Sequence, residues 1–249
     1  MKKYVIFLFC LILSSIVFVQ SNAQNLMDKN DVISPKFKGD ERVSAILTAD
    51  NSILVNNYLL ENVVCPKSAA ECQKEGTEIV QFTVTKSGNL TDFKVINSVC
   101  TELDKEVIRV LKTTNGMWNP ALKDGEPVAI KKEVAFMFGA HERNTILNYF
   151  TKAATRCHKK GSKHLFVNNN PKNALRHYNI GINYMPNDKA LLMLRGICHF
   201  ELGNKERASL DWNRIEFLGG IEPAKIDNSL ISMKGYSEMI EILANNNDN

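Results

Sequence analysis

The chain of 249 residues lacks the short motifs that commonly mark an enzyme active site. It has no G-x-S-x-G, no H-E-x-x-H, no P-loop and no Gly-rich phosphate-binding turn after a strand. Cys157, His158 and His164 form the one cluster of metal-ligating residue types, and their spacing matches no standard zinc pattern. We therefore predict a protein that is not an enzyme and that binds no cofactor and no metal.

A strong excess of one charge is also missing. Lys and Arg number 31, Asp and Glu number 27, and the two signs look scattered along the chain, with a net charge of +4. Nucleic-acid-binding proteins normally have a pronounced basic patch or stripe. The composition therefore predicts no nucleic-acid partner.

Only one long apolar run is present, at the N-terminus. It covers residues 4–19, follows two lysines and precedes Ser-Asn-Ala at 21–23, which resembles a signal-peptidase site. A membrane-spanning helix prefers about 20 apolar residues. We predict a signal peptide at 1–23, a linker at 24–34 and a periplasmic or secreted location; the alternative is an inner-membrane anchor.

The middle of the chain has the pattern of an antiparallel sheet with a helix. Two predicted strands, Glu78–Thr85 and Leu90–Ser98, alternate apolar and polar residues around the turn K-S-G-N. Helical spacing follows at Leu103, Val107, Val110 and Leu111, with Thr101 and Asp104 as a capping box and Asn115-Gly116 as the stop. A third strand is predicted at Val128–Phe138.

Trp118 lies between that helix and the third strand, in a segment full of turn residues (T-T-N-G-M-W-N-P-A-L-K-D-G-E-P-V). We predict that this segment brings the chain back into the sheet. The Trp118 ring would then cover the helix–sheet core and its N–H would lie near the surface. The alternative is that Trp118 is an ordinary core residue.

The order of these elements and motifs resembles the C-terminal domain of the TonB family. The matching positions are Gly76, Gly88, Trp118, Pro120, Ala121, Gly125 and Pro127. The upstream segments S-P-K-F-K-G-D-E and Y-L-L-E-N-V-V-C-P are also similar to the family, although Cys65 replaces its usual tyrosine. The resemblance covers about Pro35 to Phe138. It implies an α/β sandwich, an antiparallel sheet with two helices, at residues 35–140.

Cysteine is sparse, and no two cysteines have C-x-x-C spacing. Beyond the apolar run the chain has Cys65, Cys72, Cys100, Cys157 and Cys198. Cys72 precedes the first strand of the predicted hairpin and Cys100 follows the second, and these two ends of a hairpin are adjacent. Since export permits disulfides, a Cys72–Cys100 bridge is one prediction; free, buried cysteines are the alternative.

Residues 141–245 show helical spacing and a 34-residue repeat. Ala174, Tyr178, Gly181 and Pro186 recur as Ala208, Trp212, Ile215 and Gly220. This spacing resembles the tetratricopeptide repeat (TPR). We predict an all-α TPR-like domain with repeats at Thr155–Asn187 and Asp188–Gly220, breaks near residues 167–173 and 202–206, a capping segment at Ser229–Leu243 and a polar tail at 246–249. The fold class is therefore α+β. Arg195 and Asp211 either pair between helices or remain solvated.

Both domains are of a type that binds other proteins. The family resemblance implies that an extended peptide adds to the edge of the last strand, at Lys131, Lys132, Glu133, Val134, Ala135 and Phe136. Its three charged residues would discourage pairing between copies of the chain. The expected partners are envelope proteins or peptides, including an outer-membrane receptor, or a second copy in a homodimer.

Two functions fit these domains. We predict an exported adaptor, and the alternative is a membrane-anchored energy transducer. The segment Gln24–Asp40 has 17 residues and one proline. Fully stretched, it spans only roughly 55–60 Å, and it lacks the proline that would stiffen a spacer. This short reach favours the adaptor.

Overall fold

The computed structural model describes residues 32–38, 52–64, 74–139, 143–222, 226 and 228–244. The predicted signal peptide, most of the predicted linker and the polar tail lie outside these residues. Within them, no helix is both long enough and apolar enough to cross a membrane.

An α/β domain comes first. Its elements are β1 (Val32–Ile33), β2 (Lys36–Phe37), α1 (Ser52–Asn62), β3 (Gly76–Val84), β4 (Leu90–Asn97), α2 (Thr101–Thr113), β5 (Trp118–Asn119), β6 (Ala121–Lys123), β7 (Glu126–Val128) and β8 (Ile130–Phe138). The strands form antiparallel sheets in the orders β4-β3-β8, β1-β6-β7 and β2-β5. The predicted antiparallel sheet with two helices is thus present.

The central strand β3 pairs with β4 on one side and with β8 on the other. Its alternate residues Val80, Phe82 and Val84 are fully buried in one core with the apolar face of α2. That face consists of the four predicted residues, Leu103, Val107, Val110 and Leu111. The alternating and helical spacings therefore identified the core of this domain correctly.

Two local predictions in this domain are wrong. The third strand begins at Ile130 rather than Val128, because residues 126–128 form β7, which pairs with β6. Asp124 and Gly125 join β6 to β7 with φ of 53° and 82°, the two left-handed residues that a type I′ hairpin turn requires. The capping box is also absent: Asp104 instead accepts a hydrogen bond from the hydroxyl of Ser98 at 2.8 Å.

A helical domain follows. It contains α3 (Arg143–Ser162), a π-helical turn (Lys163–Val167), α4 (Pro171–Tyr184), α5 (Lys189–Glu201), α6 (Lys205–Phe217), a 3₁₀ turn (Asn228–Leu230) and α7 (Tyr236–Ala244). The helix breaks lie at the two predicted places. The predicted repeat start at Thr155, however, falls inside α3.

The two helix hairpins pack in the same way. A side-chain carbon at Gly161 would lie 2.5 Å from the ring of Tyr178, and one at Gly196 would collide with the ring of Trp212. In each hairpin a large aromatic therefore packs on a glycine of the preceding helix. The assignment of these hairpins to the TPR class stays a prediction.

The C-terminal segment closes the helical core, as predicted. Leu230, Met239 and Leu243 are buried in the cluster that also contains Trp212. Of the two alternatives for Arg195 and Asp211, the structure has the pair: Arg195 Nε and Nη2 donate to Asp211 at 2.9 and 2.5 Å.

Candidate strand-pairing site

Strand β8 is an outer strand of the three-stranded sheet. It pairs with β3 along its whole length, from Phe138 opposite Gly76 to Ile130 opposite Val84. On its other side, no strand within the described ranges pairs with it. Alternate backbone N–H and C=O groups of an edge strand point away from the sheet. β8 is therefore a candidate edge for strand addition.

The side chains of β8 alternate between the core and the opposite face. Val134 and Phe136 are 4% and 7% exposed and belong to the same core as α1 and α2. Lys131 and Ala135 are exposed, and Lys132 is half-buried. The two apolar side chains anchor the strand and are not accessible to a peptide. Any pairing at this edge must therefore rely mainly on backbone groups.

Glu133 is held by the helical domain. Its side chain is 8% exposed, and its two carboxylate oxygens accept hydrogen bonds from Arg214 of α6, both at 2.7 Å. Gln81 of β3 donates a third hydrogen bond at 3.0 Å. The expectation that Glu133 is a solvent-facing charge against self-pairing is therefore wrong. Lys131 remains exposed and can still serve that purpose.

Arg214 connects three parts of the chain. Besides Glu133, its Nη2 donates to Asn187 Oδ1 at 2.7 Å, and its guanidinium lies 4.9 Å from the centre of the Phe217 ring. Two parallel N–H···O bonds to a carboxylate are both strong and directional. This contact therefore fixes the face of β8 against the helical domain.

The start of β3 makes further contacts with the helical domain. Thr77 donates its hydroxyl to the Tyr184 carbonyl at 2.6 Å, and Asn183 donates its side-chain amide to the Glu75 carbonyl at 2.5 Å. A side-chain carbon at Gly76 would lie only 2.6 Å from Asn183, so the approach depends on glycine there. The helical domain therefore covers a face of the sheet, and none of these contacts involves a strand paired with the outer edge of β8.

We predict that Glu133 and Arg214 contribute to the free energy of unfolding as a coupled pair. A double-mutant cycle of Glu133→Gln and Arg214→Met should give a coupling of about 1–3 kcal/mol in urea unfolding, because the two side chains share hydrogen bonds and are largely buried. The matched surface pair is Glu106 and Arg109, where Arg109 is 56% exposed. Its coupling should be clearly smaller. Equal couplings for the two pairs would contradict this role for Arg214.

Trp118 forms the centre of the α/β core. Its side chain is 1% exposed, and its ring centre lies 5.2 Å from that of Phe37 and 5.4 Å from that of Phe82. Its N–H donates to the buried hydroxyl of Thr114 at 3.0 Å, and this hydroxyl donates to the Leu111 carbonyl. The prediction of an N–H near the surface is therefore wrong, and the core-residue interpretation is correct.

The other motif residues shape the loop around Trp118. Gly88 has φ of 78° and lies so close to the Trp118 carbonyl that a side-chain carbon would collide with it. Gly125 supplies the left-handed turn, Pro120 is half-buried and Pro127 is exposed in β7. These residues position the loop and take no part in the edge of β8.

The predicted disulfide and the weak metal cluster add nothing to this site. Cys100 is buried and Cys72 lies outside the described residues, so their pairing stays a prediction. In the described part of the chain, no group of three His, Cys, Asp or Glu side chains is placed to hold a metal ion. His164 instead stacks on His177, with ring centres 5.3 Å apart.

The elements up to Phe138 form a small α/β domain whose three-stranded antiparallel sheet has β8 as an outer strand. Residues 61–139 match the family of Gram-negative bacterial TonB protein C-terminal domains. The matched stretch runs from the end of α1 to just beyond β8.

Two solved structures are similar to the chain. Both are NMR solution structures of the Helicobacter pylori TonB C-terminal domain. The first is 21% identical and covers 41% of this chain and 94% of its own, with a TM-score of 0.30. The second is 22% identical and covers 35% of this chain and 95% of its own, with a TM-score of 0.28. No curated protein matches the chain.

Proposed function

We propose that this chain is an exported periplasmic adaptor whose α/β domain binds an extended segment of an envelope protein by strand addition to β8. The observation that carries the proposal is the outer edge of β8, which has no partner strand among the described residues, within a domain of the TonB type. Backbone hydrogen bonds along such an edge supply most of the affinity.

The surroundings of β8 suit this role because they hold the strand in place before binding. Val134 and Phe136 fix one face in the core, and the Glu133–Arg214 contact fixes the other. A strand that is already ordered loses less conformational entropy when a partner pairs with it. The helical domain would thus support the edge and would offer a second surface to partners.

The alternative function is a membrane-anchored energy transducer, which the family match supports equally well. The two functions differ in the fate of residues 1–23. Intact-mass measurement of the exported protein separates them: an adaptor starts near Gln24, whereas an anchored transducer retains the apolar run.

Hydrogen exchange tests the strand-addition proposal. The partner is first identified by pull-down with the mature chain from the cell envelope. A peptide with the sequence of the partner's bound segment is then added to the purified protein. We expect alternate amides of β8 to exchange fast in the free protein and to become protected in the complex, since alternate N–H groups of an edge strand point outward. Protection of the outer strand β4 instead, or full protection of β8 in the free monomer, would contradict the proposal.

Proline substitution gives a second readout. Successive N–H groups point to opposite edges, so either Val134 or Ala135 has its N–H outward, and exchange in the free protein identifies which one. A proline there should abolish binding because it removes a donor from the new ladder. Lys131→Ala should weaken binding only modestly. The matched control is a proline at an outward amide of β4, for which the binding affinity should stay unchanged.

A further inference from the structure

The α3–α4 hairpin carries charge of one sign. Residues 143–187 contain eight Lys and Arg, three His, and no Asp or Glu. The rest of the chain has 23 Lys and Arg against 27 Asp and Glu. The expectation of scattered charges is therefore wrong for this hairpin, which is strongly basic inside a nearly neutral protein.

Most of these charges form a row along the outer side of α3 and the π-helical turn. Its members are Lys152, Arg156, Lys159, Lys160 and Lys163, all of them exposed. Their spacings of four, three, one and three residues place them on one side of a helix. The buried residues of α3, including Phe150, Ala154 and Gly161, lie on the other side. With a rise of about 1.5 Å per residue, the row is roughly 16 Å long.

Helix α4 extends the basic surface. Lys172 and Arg176 are exposed, and the stacked rings of His164 and His177 bring the two helices together beside Lys163. The pKa of His177 is lowered first by burial and then by its basic neighbours His164, Lys160 and Arg176. The two helices therefore form one continuous basic face.

This basic face ends in exposed apolar side chains. Phe166 and Val167 of the π-helical turn are 38% and 74% exposed. The opposite end of α4 contacts the α/β domain through Asn183 and Tyr184. The apolar tip is therefore far from the edge of β8, at the other end of the helical domain.

We propose that this face binds the surface of a bilayer that contains anionic phospholipids, with Phe166 and Val167 entering the interfacial region. A row about 16 Å long on the outer side of a helix is suited to many headgroup charges rather than to one small anion. An acidic protein segment would neutralise the lysines, but it would offer no apolar layer to the two side chains at the tip. Binding by so few apolar residues is reversible.

Vesicle co-sedimentation tests this proposal on the chain starting at Gln24, which retains every described element. We expect binding to phosphatidylcholine vesicles that contain about one-third phosphatidylglycerol, and none to phosphatidylcholine alone. Raising the salt from about 0.1 M to about 1 M should release the protein, since the screening length falls from about 10 Å to about 3 Å. Lys159→Glu with Lys163→Glu should lower the partition coefficient about thirtyfold or more.

The matched control is Lys86→Glu with Lys94→Glu, which makes the same change in net charge on exposed residues of the α/β domain. Circular dichroism checks that both variants fold. We expect the control to keep the wild-type partition within about twofold. Equal losses in the two variants, or equal binding to both kinds of vesicle, would overturn the proposal.

A third variant separates the bilayer from a soluble acidic partner. Phe166→Ser with Val167→Ser should weaken vesicle binding and leave binding to polyglutamate unchanged. If this variant binds anionic vesicles as tightly as the wild type, the face recognises negative charge alone, as an acidic protein would supply, and the bilayer proposal fails. The results of these vesicle experiments do not test strand addition at β8. That proposal is tested separately by hydrogen exchange at the amides of β8, which lie on a different surface.

Discussion

Trp118→Ala should lower the free energy of unfolding of the α/β domain by about 3–5 kcal/mol, the usual cost of removing a large buried aromatic side chain. The ring is 1% exposed and contacts both Phe37 and Phe82. Its removal leaves a cavity between β2, β3 and the loop after α2. It also leaves the buried Thr114 hydroxyl without its donor.

The two tryptophans allow each domain to be followed separately. In Trp118→Ala the remaining tryptophan, Trp212, reports on the helical domain, so its fluorescence transition in urea should move less than the circular dichroism transition of the sheet. Trp118→Phe is the control, since it keeps a ring in the core and loses mainly the hydrogen bond to Thr114, which is worth about 1 kcal/mol. If Trp118→Ala melts at the wild-type temperature, the ring does not support this core.

The spacing of apolar residues was sufficient to predict β3, β4 and α2. Val80, Phe82 and Val84 alternate because one face of the strand is buried, and the four buried residues of α2 recur at helical spacing for the same reason. Periodicity records which face is buried. It contains no information on hydrogen-bond partners, and therefore the Trp118 N–H was expected at the surface.

The contact between the two domains could not be predicted from the spacing of apolar residues. Glu133 and Arg214 are 81 residues apart, and in the sequence each looks like an ordinary surface charge. Only the folded structure brings them together, because the contact joins β8 of one domain to α6 of the other. Asn183 and Gly76 are equally unremarkable in the sequence, although their close approach fixes how the helices meet β3.

The positive charge of the α3–α4 hairpin was missed in the sequence for a different reason. Its lack of Asp and Glu is directly visible in residues 143–187, but the net charge of +4 for the whole chain conceals it. Net charge has to be counted separately for each structural element, because a binding partner contacts one surface of the protein and not the whole chain. The structure adds what the count lacks, namely that five of the charges lie on the outer side of α3 and the π-helical turn that follows it.

Stability of the α/β domain should fall as the pH rises, because of one buried carboxyl group. Glu78 of β3 is 0% exposed, and its Oε2 accepts a hydrogen bond from the Val99 N–H at 2.9 Å. Burial raises the pKa of Glu78 from its ordinary value of 4.5 to about 8; the bond from Val99 opposes this shift, and the nearby carboxylate of Asp104 adds to it. The folded domain therefore holds a neutral glutamic acid at neutral pH.

The sign of the effect follows from the two pKa values. Between pH 4.5 and about 8 the unfolded chain has lost the Glu78 proton while the folded domain retains it. The free energy of unfolding therefore falls with increasing pH across this window and levels off above it. At about 1.4 kcal/mol per pKa unit, the total loss is on the order of 5 kcal/mol.

Glu78→Gln should remove this pH dependence, because glutamine is neutral at every pH and keeps an oxygen to accept the Val99 N–H. We expect urea unfolding at pH 5, 7 and 9 to show a steep decline in stability for the wild type and a nearly flat profile for the variant, which should be the more stable protein at pH 9. Asp104→Asn should reduce the decline only in part, since burial is the larger cause. Glu126→Gln, at an exposed position in β7, is the control and should keep the wild-type profile. If the decline persists in Glu78→Gln, a group other than Glu78 binds the proton.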